Sequence, residues 1–187
     1  HLKSVESLSI SEELLTLEDK WILSKINTTI TRVNFCLENY RFSEMAQLLY
    51  HFTWDDFCSR YLEIKKKVIT AQEVTPEKVN GLAVFSHVVE KLIGILHPVM
   101  PFITEELNTI LFDSSKSLIT SAWPESDEGT INEQIEKDFT EIFDIVEGVR
   151  SIRGQYSISP AKELTCFIKV NSTHEKEALD ENRELII

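Results

Sequence analysis

The sequence predicts a mainly α-helical protein, namely an antiparallel helix bundle followed by the start of a small α+β unit. The 187 residues include only five Gly and five Pro, and 42% are hydrophobic, a composition that favours helices and suffices for a buried core. Apolar residues recur every three or four positions over several long segments, which is typical of helices packed along one face. A single segment near the C-terminus instead alternates with period two, as strands do.

The first helix is predicted from about Leu17 to Asn39. Thr16 and Asp19 form a T-x-x-D pattern, in which the hydroxyl caps free N–H groups of the first turn. The polar stretch 1–16 is interpreted as a linker. The chain begins with His1 and not with Met, so we expect it to be part of a longer protein. The inner stripe of this helix is expected to contain Ile22, Ile26, Ile30, Val33, Leu37 and Tyr40.

Three further helices are expected, at about 43–68, 75–97 and 102–111. Pro76 suits the first position of a helix, where its missing N–H is not needed. His97 precedes Pro98, and a residue before Pro disfavours helical dihedrals, so the third of these four helices ends there. The short break after Asn39 makes the first two helices antiparallel neighbours. Residues 17–124, including a loop over 114–124, are predicted to form the bundle.

The last part of the chain is predicted to contain a long acidic helix and a truncated α+β unit. Residues 125–147 contain nine acidic residues and one Lys, which together with a regular apolar stripe predicts a solvated helix within 125–156, packed on the bundle. In the segment 157–187, a strand is predicted over 164–170 and a helix over 173–183. Strand followed by helix is the beginning of an α+β unit.

Charge and cysteine content narrow the class of protein. The net charge is −12, but residues 20–67 contain eight basic residues against five acidic ones, which permits binding of a polyanion on one face. No run of about 18 apolar residues is present, so no membrane span is expected. Cys36, Cys58 and Cys166 are far apart, so free thiols in a reducing cytoplasm are predicted.

Motifs for catalysis or for metal and cofactor binding are missing from the sequence. The glycines are scattered and form no phosphate-binding loop, and the histidines lack metal-ligand spacing. Binding is the remaining type of function. Trp54 and Phe57 are interleaved with Arg60 and the lysines 65–67, a pattern that suits stacking of unpaired bases but also suits a bundle core with a solvated helix end. Arg150 and Arg153, one turn apart, suit either a phosphate contact or a surface helix end.

Several longer strings resemble one protein family. Residues 21–27 (WILSKIN) are similar to the first anticodon-domain helix of class I synthetases for branched aliphatic amino acids. Residues 39–50 (NYRFSEMAQLLY) and 52–58 (FTWDDFC), and also 122–124 (AWP) and 149–153 (VRSIR), resemble the valyl-tRNA synthetase family. Residues 97–107 (HPVMPFITEEL) are shared with the isoleucyl and leucyl groups. Two departures are Ser59-Arg60, where Asp-Trp is common, and Gly154-Gln155, where Ala-Glu is usual.

The resemblance implies a function. It implies the C-terminal anticodon-binding helix bundle of a valyl enzyme, with tRNA of the valine isoacceptors as its partner. The parent enzyme would attach valine to tRNA with ATP and Mg²⁺ in the cytoplasm. The chain itself would bind no cofactor and no membrane, would lack the catalytic and editing domains, and would be inactive alone. We expect it to be a monomer that is joined to the rest of the synthetase.

Basic side chains are expected to contact the RNA, because phosphate contacts fix the register of a bound nucleic acid. Tyr40, Tyr50, Trp54 and Phe57 are instead expected in the core. Two alternatives stay open, which are the same module of an isoleucyl enzyme and a helical scaffold that binds protein through the acidic fifth helix. The candidate RNA contacts are Lys25, Arg32, Arg41, Lys65, Lys66, Lys67, Arg150 and Arg153.

Overall fold

A computed structural model describes residues 9–112, 116–159 and 161–185 of the chain, which are mainly α-helical as predicted. The chain separates into two compact units, His1–Asn132 and Glu133–Ile187. The first unit contains α1 (Leu17–Glu38), α2 (Phe42–His51), the π-helical segment π1 (Phe52–Leu62), α3 (Glu63–Thr70), α4 (Pro76–Leu96) and α5 (Pro101–Phe112). The second unit contains α6 (Glu133–Gln155) and α7 (Thr173–Glu181). Short 3₁₀ turns lie at Glu12–Leu14, Leu118–Thr120, Glu128–Thr130 and Arg183–Leu185.

Helix α1 lies at the centre of the bundle and begins where the T-x-x-D pattern predicts. The Asp19 carboxylate accepts hydrogen bonds from the backbone N–H and the hydroxyl of Thr16, at 3.3 and 2.8 Å. This capping box satisfies polar groups that the first turn leaves unpaired. The helix packs against α2, π1 and α4. Most of its predicted inner stripe is buried, namely Ile22, Ile26, Ile30 and Val33.

Helices α2, π1 and α3 form one continuous helix, for which the sequence predicted α-helix over 43–68. Its central part is instead a π-helix, a wider turn in which N–H groups bond to carbonyls five residues away. The spacing of the buried residues explains the difference, because Phe52, Phe57, Tyr61 and Lys65 are five, four and four residues apart. The wider turn keeps them on one face, where Phe57 stacks on Phe85 of α4 with ring centroids 5.7 Å apart.

Helix α4 packs against α1, α3 and α5. The Thr75 hydroxyl accepts a hydrogen bond from the N–H of Lys78 at 3.2 Å, and Pro76 occupies the first helical position, as predicted. With a mean hydropathy of 1.5 over an 18-residue window, α4 is the one described helix long and apolar enough to cross a membrane. However, 61% of that window is buried inside the fold, so its apolar residues are those of a core helix.

Polar side chains hold the turn between α4 and α5. His97 Nδ1 lies 2.8 Å from the Thr104 hydroxyl. The Glu105 carboxylate accepts a hydrogen bond from the backbone N–H of Leu118 at 3.1 Å, which ties the chain after α5 back onto that helix. Residues 113–115, which include the first two residues of the predicted loop, lie outside the described residues.

Residues 123–132, here named the strap, run antiparallel to α1 and are bound to it by hydrogen bonds. The buried amide of Asn27 is the centre of this contact. Its Nδ2 donates to the Thr130 hydroxyl at 2.6 Å, and its Oδ1 accepts from the backbone N–H of Asp127 at 2.9 Å and from the Lys91 ammonium at 3.0 Å. One buried side chain therefore joins α1, α4 and the strap.

The two ends of the strap are also bound to α1. Trp123 Nε1 donates to Asn34 Oδ1 at 2.7 Å, and the backbone N–H of Asn132 donates to Ser24 Oγ at 2.9 Å. The first unit therefore includes residues 125–132 and extends beyond the end of the bundle predicted at residue 124.

The described part of the predicted linker 1–16 is bound to the bundle. Residues 1–8 lie outside the described residues. The backbone N–H of Ser11 donates to Asn80 Oδ1 at 2.8 Å, and Asn80 Nδ2 donates back to the Ser11 carbonyl at 3.2 Å. This segment is therefore anchored on α4, and the interpretation of it as a linker is wrong for the residues that the structure describes.

The second unit consists of α6, an irregular segment and α7. Both helices were predicted, and Ser172 caps α7 by accepting from the N–H of Glu175 at 3.1 Å. The predicted strand over 164–170 is not formed, and the described residues contain no strand to pair with it. A lone strand leaves its backbone polar groups unpaired, so the alternating pattern alone does not produce one. The α+β character is not confirmed, and the packing of α6 on the bundle stays a prediction.

Candidate nucleic-acid interface

Lys65, the first of three consecutive lysines, is buried. Its side chain is 3% exposed, and its Nζ lies 2.7 Å from the Asp19 carboxylate and 3.1 Å from that of Glu18. The Tyr61 hydroxyl donates to the other Asp19 oxygen at 2.9 Å, and burial together with these carboxylates raises the pKa of Tyr61 well above its usual value. Lys65 joins α3 to α1 and has no access to a phosphate, so its assignment as an RNA contact is wrong.

The next two lysines are exposed and stay candidate contacts. Lys66 lies 3.7 Å from the Glu63 carboxylate one turn earlier, an exposed pair of the kind that contributes little to stability. Lys67 is also exposed at the C-terminal end of α3. Cations at this end of a helix interact favourably with the helix dipole, which gives both lysines a structural role as well.

Lys25 is half-buried and joins α1 to π1. Its Nζ lies 3.3 Å from the Asp56 carboxylate, and Arg60 Nη1 lies 3.5 Å from the other oxygen of the same group. Burial raises the pKa of Asp56 above its usual value, although Lys25 and Arg60 both act to lower it. Because Lys25 and its partner Asp56 are both largely buried, Lys25 is a weaker candidate for RNA contact than the exposed Arg32 of α1 and Arg41 just before α2.

The turn from α1 to α2 carries exposed aromatic side chains and two arginines, here named the aromatic corner: Arg32, Phe35, Tyr40, Arg41 and Phe42. Tyr40 is 81% exposed, and Phe35 and Phe42 are each about half exposed. The rings of Tyr40 and Phe42 meet edge to face with centroids 6.2 Å apart. The Arg41 guanidinium lies 5.6 Å from the Phe35 ring centroid and its Nε is 3.0 Å from the Glu44 carboxylate. Arg32 is exposed one turn before Phe35.

The backbone of this turn explains why the rings face solvent. The N–H of Arg41 donates to the carbonyl of Cys36 at 2.8 Å, and the N–H of Tyr40 donates to that of Leu37 at 3.2 Å. These two bonds form a Schellman motif, which requires a left-handed residue that is usually Gly. Tyr40 occupies that position with a φ of 57°. A bulky residue in this conformation is a true outlier, and such strain is concentrated at functional sites.

Exposed aromatic residues continue along α2 into π1. Ala46, Tyr50 and Trp54 follow Phe42 at intervals of four residues, and all four are exposed. The expectation that Tyr40, Tyr50 and Trp54 lie in the core is therefore wrong. The expectation that Phe57 lies in the core is confirmed. The buried face of α2 is instead formed by Met45 and Leu49. These two residues are also four positions apart and lie beside the stripe that begins at Phe42. Periodicity alone therefore did not identify which of the two stripes faces the core.

The two candidate arginines of the second unit differ in how they are held. Arg150 is exposed on α6. Arg153 is half-buried, and its Nη1 donates to the carbonyls of Ser159 and Lys162 at 3.1 and 3.0 Å. Arg153 thus holds the segment that follows α6, and Arg150 is the better candidate for a phosphate contact.

Ser24 and Asn27 are a positioning pair that the periodic patterns did not reveal. Both lie in the string WILSKIN, and both bind the strap. Two nearly inaccessible polar residues in an apolar helix were the signal, because buried polar groups need hydrogen-bond partners. Their role is to position residues 123–132 against α1.

No site for metal chemistry is apparent in the described parts of the chain, where no group of three or more His, Cys, Asp or Glu side chains is placed to hold an ion. The three cysteines are free thiols. Cys36 is buried, Cys58 is half-buried and Cys166 is exposed. Burial raises the pKa of the Cys58 thiol, which makes it less reactive than an exposed thiol.

Comparison with known proteins agrees with a nucleic-acid-binding bundle. The chain matches the family model of the anticodon-binding domain of tRNA ligases over residues 19–169. It is 34% identical over 181 residues, or 97% of its length, to the valine–tRNA ligase of Staphylococcus carnosus. It is 34% identical over 178 residues (95%) to that of Geobacillus stearothermophilus and 36% identical over 167 residues (89%) to that of Thermotoga maritima.

The chain covers 20%, 20% and 19% of these three relatives, so it spans about a fifth of their length. The matched region begins in the first turn of α1, continues through α6 and ends in the irregular segment before α7. The aromatic corner, the strap and the ion pair of Lys65 with Asp19 all lie within it. The chain therefore belongs to the family of anticodon-binding domains of tRNA ligases.

Proposed function

We propose that the chain is the tRNA anticodon stem-loop recognition module of a valine–tRNA ligase, and that the aromatic corner meets the unpaired anticodon bases. The observation that carries this proposal is the position of Tyr40. Its left-handed backbone ends α1, and its ring is 81% exposed and meets the Phe42 ring edge to face. A ring held in solvent by a strained backbone is costly unless it binds something.

The chemistry of the corner suits single-stranded RNA. Unpaired bases stack on exposed aromatic rings, at roughly 1–3 kcal/mol per base. Arg32 and Arg41 supply the cations that phosphates require. The whole chain has a net charge of −12, which disfavours RNA binding over most of its surface, so the exposed cations fix where and in which register the RNA binds. Lys66, Lys67 and Arg150 are proposed as additional backbone contacts.

The relatives support a further proposal about the whole protein. We propose that it attaches valine to tRNA with ATP and Mg²⁺ in the cytoplasm. In this proposal the catalytic and editing parts lie in the remaining four-fifths of the polypeptide. The isolated chain is then a monomer without ligase activity, which binds tRNA and holds it for the rest of the enzyme.

The direct test is a titration of the chain with valine tRNA and isoleucine tRNA at low and at moderate salt. Binding that prefers valine tRNA and weakens with salt supports the proposal, because salt dependence reports phosphate contacts. A preference for isoleucine tRNA would assign the module to an isoleucyl enzyme. The absence of any salt-dependent RNA binding would favour a helical scaffold that binds protein.

Variants of the corner separate stacking from charge. Arg41→Ala should weaken the binding of both tRNAs to the same extent. It should also reduce the slope of log affinity against log salt by about 1. Tyr40→Ala should weaken binding by roughly 1–3 kcal/mol and leave that slope unchanged. The matched controls are Arg183→Ala and Tyr156→Ala, two exposed residues of the second unit. Equal losses in the control variants would refute the placement of the site at the corner.

A further inference from the structure

Helix α5 exposes apolar side chains on the side that faces away from the bundle. Thr104, Asn108 and Phe112 are buried at intervals of four residues and mark the side toward the bundle. The opposite side carries the exposed residues Phe102, Ile103, Leu107 and Ile110, here named the α5 patch, and Phe102 is 92% exposed. A surface helix usually carries polar residues on the side away from its docking stripe, so four exposed apolar side chains on that side are unusual.

We propose that the α5 patch is an intramolecular docking surface for the part of the full-length ligase that lies outside this chain. The inference rests on the proposed function only in that the chain is part of a longer protein. It does not depend on RNA binding. Further apolar side chains are exposed in the flanking parts of the chain, namely Val99 and Met100 in the preceding turn and Ile119 in the following 3₁₀ turn.

The patch is too apolar to be an ordinary solvent-facing surface. Covering these exposed and partly exposed Phe, Ile and Leu side chains would remove further apolar surface from water, which favours docking. Contiguous apolar patches larger than a few hundred Å² are rare on monomers and mark interaction sites. The Glu105 carboxylate accepts a hydrogen bond from the N–H of Leu118 and so ties the following 3₁₀ turn to α5.

The charges of α5 argue against RNA as the occupant. The helix contains no Lys or Arg, and its charged residues are Glu105 and Glu106. RNA binding needs cations opposite phosphates, and these are present at the aromatic corner but not here. The chemistry of the patch is that of a protein–protein contact with an apolar centre.

A covalently joined occupant is favoured because the chain spans about a fifth of its relatives. The remaining four-fifths is tethered to it at an effective concentration that reaches the millimolar range for short linkers. Interfaces between domains of one chain bury about 600–1,500 Å², and the patch with its flanking residues suits the centre of one. A second copy of this chain has no comparable advantage in solution.

The test compares the labelling of one thiol in the full-length protein and in this chain. Ile110→Cys is made with Cys58→Ser and Cys166→Ser, and the reaction with a maleimide is followed by mass spectrometry without tRNA. The buried Cys36 reports folding in both proteins, since it reacts only after unfolding. Lys67→Cys in the same background is the exposed control. We expect the thiol at position 110 to react at least about tenfold more slowly in the full-length protein than in the chain, and the control thiol at position 67 equally fast in both.

The other outcomes overturn the inference. Equal labelling at position 110 in both proteins would show that the patch is uncovered. Protection in the isolated chain that grows with protein concentration would assign the patch to a second copy. Phe102→Glu gives a second readout, because it should lower the Tm of the full-length protein and leave that of the chain within about 2 °C. Because no step uses tRNA binding, failure of the anticodon proposal leaves these results interpretable.

Discussion

The ammonium of Lys65 lies 2.7 Å from the carboxylate of Asp19, and both side chains are almost completely removed from water. Glu18 and Thr16 complete the surroundings of the ammonium, at 3.1 and 2.9 Å. The pair joins the start of α1 to α3, two elements that are far apart in sequence. In the sequence Lys65 looks like one of three solvated cations, but in the structure it is part of the core.

Removing the Lys65 cation should destabilise the bundle severely. Lys65→Ala leaves the carboxylates of Glu18 and Asp19 buried without a counter-charge, which typically costs about 3–5 kcal/mol. Urea unfolding followed by circular dichroism measures this loss. Lys66→Ala is the matched control and should change the unfolding free energy by no more than about 0.5 kcal/mol. Similar effects of the two variants would contradict the buried position of Lys65.

Tyr40→Gly should separate stability from RNA binding. Glycine adopts the left-handed conformation of this turn without steric cost, so we expect the variant to be more stable by up to about 1 kcal/mol. Loss of the ring should weaken tRNA binding at the same time. Thermal unfolding and tRNA titration of the same samples measure the two effects. Tyr40→Phe should leave both properties nearly unchanged, and a destabilised Gly variant would mean that the ring packs against the bundle.

Gly94→Ala should loosen the strap. A Cβ at position 94 would lie 2.5 Å from Cγ of Pro124, a ring atom in the strap that has little freedom to move. Overpacking of this kind typically costs about 1–3 kcal/mol. Gly81→Ala in the same helix is the control, since its nearest neighbour is Val68 Cγ1 at 3.9 Å.

The two glycine variants should therefore change stability in opposite directions. Replacing Gly by Ala inside a helix normally stabilises by about 0.5–1 kcal/mol, which is the expected result at position 81. Chemical denaturation gives both values, and amide exchange at the N–H of Asp127 reports the strap directly. A stabilised Gly94→Ala protein would show that the strap does not pack on α4 at this point.

The bundle should lose stability on mild acidification because of His87. Burial, together with the charge of Lys91 one turn away, lowers the pKa of His87 below its usual value, although Asp127 acts in the opposite sense. The unfolded chain therefore takes up a proton first, near pH 6.5, and the folded state takes it up only at lower pH. The contribution of the neutral histidine is complete above about pH 6.5 and is lost as the pH falls through the folded pKa.

His87→Gln is the variant that isolates this contribution. Urea unfolding at several pH values between about 7.5 and 5 should show a shallower decline of the unfolding free energy for the variant than for the wild type. Parallel declines would mean that other groups cause the pH dependence and that protonation of His87 is tolerated in the folded state.

Local patterns in the sequence determined the helices of this protein. The T-x-x-D pattern placed the start of α1, Pro76 placed the start of α4, and the regular apolar spacing identified the buried face of α1. These features depend on neighbours within one or two helical turns, so they can be predicted from a single segment of the sequence. The strings that resemble valyl-tRNA synthetases likewise needed no structure, and they pointed to the family that the comparisons confirm.

Only the tertiary structure decided which side chains remain free to bind. Lys65 and Lys66 are adjacent and chemically identical, yet the first is sealed by Asp19, 46 residues away, and the second is exposed. Tyr40 and Trp54 looked like core residues and are exposed, whereas the polar Asn27 is buried by a strap that lies about 100 residues later. Burial is set by elements that meet only when the chain has folded. A partner that lies tens of residues away in the sequence does not affect the periodic pattern around a residue, so that pattern cannot reveal it.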